Sequence, residues 1–197
     1  MERITVIAIV TLFVAAGASV AANNPQAKVA VHVKDHNSKQ SCDVLPPIEG
    51  CDDIVTAYTG FSFDAFPVFF DLVAYQGMEY GLCWPDWTYS AAWTQCADLV
   101  IGGIVWPGDG ISQTWLSCRA EAVAITGWAW IYADGPGLVS VCGHPVTGEI
   151  QVLDCEGHVD QAVASFAAGV FGAEGEDACA PVMIEATTWG AIKGMFE

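Results

Sequence analysis

The stretch Ala122-Val123-Ala124-Ile125-Thr126-Gly127-Trp128-Ala129-Trp130-Ile131-Tyr132 decides the fold class. Val123, Ile125, Ala129 and Ile131 fall on one side of an alternating pattern, with Ala124, Trp128, Trp130 and Tyr132 on the other. A period of two in β-branched and aromatic residues belongs to a strand and not to a helix.

Working outward, the same rhythm recurs. Lys28–Lys34 sets Val29, Val31 and Val33 against Ala30 and His32. Phe66–Val73 and Met78–Trp84 follow, separated by an Ala74-Tyr75-Gln76-Gly77 turn. Leu99–Trp106 and Ile111–Leu116 flank Trp106-Pro107-Gly108-Asp109, where Pro then Gly is a type II turn signal. Leu138–Cys142 and Ile150–Asp154 complete the set. Short strands bounded by Gly, Pro or Asp, with no βαβ rhythm, predict an all-β chain folded as an antiparallel β-sandwich. Ala-rich Asp160–Phe171 reads as a short helix or an ordered loop. Thr188–Phe196 reads as a brief helix presenting Trp189, Ile192 and Phe196 on one face.

Residues 1–22 read as a secretory signal: Arg3, the apolar run Ile4–Gly17, then a small-x-small site at Ser19-Val20-Ala21. That leaves one sandwich domain over 23–186, a helical tail at 187–197, and a secreted or periplasmic product without a transmembrane segment. The chain of 197 residues holds 6 Lys+Arg against 23 Asp+Glu, a net charge of −17. Such a balance excludes a nucleic-acid backbone or an anionic membrane as partner.

Eight cysteines in an exported chain read as four disulfides. Turn geometry suggests Cys96–Cys118 across the Pro-Gly turn and Cys142–Cys155 across Pro145-Val146-Thr147-Gly148. Cys42–Cys51 would close a loop through Pro46-Pro47, and Cys83–Cys179 follows by elimination. A zinc site drawn from Cys142, His144, Cys155 and His158 competes with these bridges and is the less economical use of the cysteines.

No Gly-x-Ser-x-Gly elbow or spaced Ser/His/Asp set is present, and His32 and His36 would diverge on a strand. No catalytic residue is assigned, and the expectation is a non-enzymatic protein. Asp71, Glu79 and Asp86 are the carboxylates that would serve a hydrolase if two of them met. No cofactor is expected; Glu174, Glu176 and Asp177 offer oxygen ligands for Ca²⁺, without EF-hand spacing. Trp87, Tyr89 and Trp93, beyond a strand-breaking Pro85-Asp86, form a loop trio suited to stacking on sugar rings. The expected role is therefore a binding or surface-interaction module, with carbohydrate or another protein as partner. Its rival is a structural protein docked through Trp189, Ile192 and Phe196.

Several motifs together resemble a group of uncharacterised secreted bacterial proteins. They are Val31-His32-Val33, Tyr80-Gly81-Leu82-Cys83-Trp84-Pro85, Cys96-Ala97-Asp98, Pro107-Gly108-Asp109-Gly110, His144-Pro145 with Thr147-Gly148, Asp154-Cys155, and Thr187-Thr188-Trp189-Gly190 with Ile192-Lys193. More distantly, Val68–Trp84 is similar to the opening of cohesin-like and immunoglobulin-like sandwiches. That resemblance implies a fold and carries no site residues.

Overall fold

The computed structural model describes residues 23–85, 89–104 and 106–182. The signal expected at 1–22 and the tail expected at 187–197, with Trp189, Ile192 and Phe196, lie outside the described residues. In chain order the strands are β1 (Lys28–Asp35), β2 (Ser62–Phe70), β3 (Tyr75–Cys83), β4 (Tyr89–Gln95), β5 (Leu99–Gly102), β6 (Gly110–Arg119) and β7 (Val123–Ile125). They continue with β8 (Gly127–Tyr132), β9 (Gly137–Cys142), β10 (Gln151–Leu153), β11 (Val159–Gln161), β12 (Ala164–Phe166) and β13 (Ala168–Val170). Sheet one runs β12-β1-β2-β8-β4, with β7 also on β2; sheet two runs β11-β10-β3-β6-β5, with β9 on β3 and β13 on β9. Among the strand pairs of the described residues only β1–β12 is parallel. The protein is an all-β, disulfide-stapled sandwich.

The inner faces meet as alternation requires. Val29, Val31, Val33, Phe63, Ala65 and Phe69 of sheet one close on Met78, Tyr80, Leu82, Ile111, Val139, Val141 and Val152 of sheet two. Each such side chain, fully withdrawn from water, contributes roughly 1.5–3 kcal/mol.

The deciding stretch is not one strand. β8 pairs with β2 from Ser62↔Tyr132 to Ala65↔Ala129, and β7 from Val68↔Ile125 to Phe70↔Val123. Thr126 and Gly127 form a bulge between them, which shifts the parity. Ala124, Ala129 and Ile131 face the inner core, while Val123, Ile125 and Trp128 face outward. The expected grouping of Val123 and Ile125 with Ala129 and Ile131 is thus corrected. Pro67, which has no N–H to give a ladder, lies on β2 opposite this bulge, where a proline is tolerated inside a sheet. Buried Thr126 turns inward, and its Oγ1 lies 2.7 Å from the buried Tyr80 hydroxyl.

Sheet one is covered on its outer face too. Ala30, Phe66, Val68, Phe70 and Trp128 pack beneath Leu45, Ile48, Ile54, Ala178, Ala180 and Val182. The cover comes from the chain between β1 and β2 and from the segment after β13. Lys28 and Lys34 lay their ammonium groups 5.8 and 5.4 Å from the Phe70 and Phe66 rings.

The disulfides are Cys42–Cys96, Cys51–Cys179, Cys83–Cys142 and Cys118–Cys155. None of the expected pairs Cys42–Cys51, Cys83–Cys179, Cys96–Cys118 and Cys142–Cys155 forms. Both turns that suggested the pairing misled for a topological reason. Between Cys96 and Leu99 the chain leaves sheet one for sheet two, so Cys96 stays with β4 and bridges the cover at Cys42. Pro145–Gly148 closes a local turn, His144 N–H donating to the Glu149 carbonyl at 2.9 Å and Gly148 N–H to the His144 carbonyl at 2.7 Å, but it does not pair β9 with β10. β9 and β10 lie end to end along one edge of β3, at Gly81↔Cys142 and Gln151↔Glu79, and residues 143–149 are an excursion between them. Cys142 therefore meets Cys83 on β3, while Cys155 is carried on to Cys118. The zinc reading falls with this, because Cys142 and Cys155 are both bridged elsewhere.

Asp160–Phe171 is not a helix or a plain loop. It contains the end of β11 and all of β12 and β13, each docked on an existing edge.

Candidate functional site

The open outer face of sheet two holds the candidate site. On β3, Met78, Tyr80 and Leu82 point inward, leaving Gly77, Glu79 and Gly81 outward. On β6, Ser112 and Thr114 alternate with buried Ile111, Gln113 and Trp115. Register assembles two rows across the sheet. Leu99, Thr114, Gly77, Leu153 and Val159 form one; Ile101, Ser112, Glu79, Gln151 and Gln161 form the other.

Small residues in the middle and branched aliphatics at the sides make a trough of about 330 Å³. One wall is Leu99 and Ile101 on the edge strand β5, 55% and 79% exposed. The other is Leu153 with Val159, the latter 54% exposed. Walls on β5 and β10 stand three strand spacings apart, about 14 Å, room for one helix or extended segment.

Among the described residues that line the trough, Glu79 is the only charged one. Ser112 Oγ donates to its Oε2 at 2.7 Å, and Thr147 Oγ1 to its Oε1 at 2.8 Å. His144 Nδ1 stands 3.8 Å from Oε1. Both His144 and Thr147 come from the excursion at 143–149, which folds back over the β3–β6 end. The Ser112 hydroxyl chiefly holds the Glu79 carboxyl below its usual range; partial burial opposes this, and Thr147 and His144 reinforce it. The trough thus carries a fixed negative charge between apolar walls. Its chemistry is that of a cation acceptor. The hydroxyl donates straight to a carboxylate, so no imidazole activates it as a nucleophile.

The remaining sequence candidates are dispersed. Asp71 directly follows β2 of the other sheet, with Lys28 Nζ 2.8 Å from its Oδ2. Asp86 lies outside the described residues, as does Trp87. Tyr89 and Trp93 lie on β4 and not in a loop. Trp93 is half-buried against the inner core, and its Nε1 is buried without a hydrogen-bond partner. Trp106 is 64% exposed on the turn beyond β5. Glu176 Oε2 accepts the Ala167 amide and Asp177 Oδ1 the Cys179 amide, so two of the three calcium candidates cap backbone. Glu174, the third, sits in the same segment.

Asp154, Glu156 and His158 bring ligand-type atoms within 4.8 Å of one another at the tip of the β10–β11 hairpin. Asp154 organises that tip. Its Oδ1 accepts the amides of Glu156 and His158, each at 2.8 Å; its Oδ2 accepts the Asn23 side-chain amide and lies 3.0 Å from His158 Nδ1. Burial alone would raise its pKa, but these donors outweigh it and hold the carboxyl down to about 2. Elsewhere, buried His32 accepts the Val55 amide at Nδ1, and His36 stacks on Trp130 beside buried Asp64.

Sequence reasoning named Glu79 as half of a catalytic pair and missed Ser112, Thr147 and the aliphatic walls. Alternation within Ile111–Leu116 could have placed Ser112 outward. Thr147 could not be placed without knowing that its loop is an excursion.

No protein-family model matches the chain, and no curated protein matches its sequence. Two solved structures overlay on it. One is a non-cellulosomal cohesin from the hyperthermophilic archaeon Archaeoglobus fulgidus, at 6% identity over 74% of this chain and 91% of that one, TM-score 0.48. The other is a type II cohesin domain from the cellulosome of Acetivibrio cellulolyticus, at 7% identity over 75% of this chain and 96% of that one, TM-score 0.49. Both belong to the sandwich family that the Val68–Trp84 stretch resembles; likeness at this level says nothing of a ligand.

Proposed function

We propose that this chain is a non-enzymatic, extracytoplasmic binding module that docks a protein partner on the outer face of sheet two. One observation carries the reading: the two sheets are treated unequally. The outer face of sheet one is roofed by the chain's own segments, and two disulfides, Cys42–Cys96 and Cys51–Cys179, fasten that roof. Sheet two keeps Leu99, Ile101 and Val159 in water on a concave face. Apolar surface left uncovered beside a polar floor marks an interaction site. Four disulfides support an oxidising compartment, and no described helix is long and apolar enough to cross a membrane.

Aliphatic walls favour a peptide or protein over a sugar, which stacks on flat aromatic rings. A carbohydrate ligand at Trp87, Tyr89 and Trp93 has less behind it, because Trp93 leans on the core.

The test is site-specific cross-linking. p-Benzoylphenylalanine placed at Ile101 should give a discrete protein adduct in producing cells; at Val146, exposed on the excursion loop, it should give none. Equal labelling from both positions, or none from Ile101, would defeat the proposal.

A further inference from the structure

We infer that the partner segment entering the trough presents a lysine or arginine to Glu79, flanked by aliphatic side chains that meet Leu99 and Ile101 on one side and Leu153 and Val159 on the other. This rests on the docking reading above and adds the chemistry of the occupant.

The argument is one of desolvation. Any segment that covers the aliphatic walls also withdraws Glu79 from water. An ionised carboxylate taken into an apolar site without a counter-charge costs far more than the walls return. Two hydroxyl donors satisfy part of the carboxylate, which can accept about four hydrogen bonds. Hydroxyls do not neutralise it. Among the described residues no Lys or Arg lines the trough, and the His144 imidazole, 3.8 Å from Oε1, is a counter-charge only when protonated. Lys28 and Lys34 lie over Phe70 and Phe66 on the opposite sheet. Arg119 stands 3.9 Å from Glu121. A partner must therefore bring the positive charge, and apolar segments without one are rejected by the same physics. The net charge of −17 works in the same direction, drawing basic partners and repelling acidic ones.

The experiment uses a phage-displayed library of random dodecapeptides as the probe, selected in parallel on wild type, E79Q and I101D. Circular dichroism melting of each variant establishes that it is folded. The expected result is enrichment on wild type of peptides with a Lys or Arg between aliphatic residues. Those peptides should bind E79Q at least tenfold more weakly and I101D not measurably. If the selected peptides lack a basic residue, or bind E79Q as well as wild type while I101D abolishes binding, the inference falls and the docking face stands. If I101D binds like wild type, or the library yields no binder, both fall.

Discussion

Gly127 shows how one residue directs the architecture here. Its φ is +154°, and a Cβ there would come within 2.3 Å of the Thr94 carbonyl oxygen and 2.8 Å of the Trp93 ring. Any side chain must push β4 off β8 or undo the bulge that turns Thr126 toward Tyr80. Gly127→Ala is expected to destabilise by about 1–3 kcal/mol, read from urea midpoints; an unchanged midpoint would mean the bulge relaxes freely. His32 is a second single-residue control. Burial, and then the Lys34 charge, push its pKa down to about 4 from the usual 6.5, against an opposing hydrogen bond with the Asp53 backbone. The unfolded chain takes up this proton first. The His32 contribution is thus complete above about pH 6.5 and lost as pH falls toward 4, on the order of 3 kcal/mol. Asp154, held at about 2, adds a second loss only below about pH 4. Urea midpoints followed from pH 7 to 2.5 should fall in these two stages. His32→Asn should flatten the first stage alone; a first stage that persists would assign it to another group.

At the scale of elements, the excursion at 143–149 and the roof over sheet one matter most. A turn of composition Pro-x-x-Gly normally joins two paired strands, yet here it closes only the excursion, and β9 and β10 run on in one direction along β3. That single fact supplies Thr147 and His144 to Glu79 and redirects two cysteines. The roof carries no strand ladder of its own over most of its length, so it depends on apolar contact and on two bridges. Cys51 and Cys179 are 128 residues apart, and such a long closed loop restricts the unfolded chain strongly. Replacing both with alanine should lower stability by about 2–5 kcal/mol. It should also expose Phe66, Phe70 and Trp128, detectable as increased ANS fluorescence before global unfolding. Cooperative melting without an ANS rise would show that the roof is held by packing alone.

Across the whole molecule, one covered face and one open face set the direction in which it can bind. The strong negative charge makes that binding sensitive to salt: peptide affinity for the trough should drop as ionic strength rises from 50 to 500 mM. Salt-independent binding would point to the aliphatic walls alone. Much of this was legible in the chain. The alternation at Lys28–Lys34 put Val29, Val31 and Val33 together on one face, and they share the inner core, because one period-two strand needs no knowledge of its neighbours. The run Phe66–Phe70 read as part of a strand, but its burial on both faces and what covers the second came only with the structure. Glu79 was visible as a carboxylate on a strand, but its role was not. A hydroxyl 33 residues away and another 68 away define it, and sequence spacing carries no trace of either.

Composition, alternation and cysteine count by themselves determined an acidic, all-β, disulfide-bearing sandwich, because those features act locally or as bulk sums. Only the tertiary structure decided which cysteines join, which face is roofed, and what surrounds Glu79. Each of these depends on how strands from distant parts of the chain register against one another, and a one-residue bulge or a turn that does not pair the strands it joins changes them.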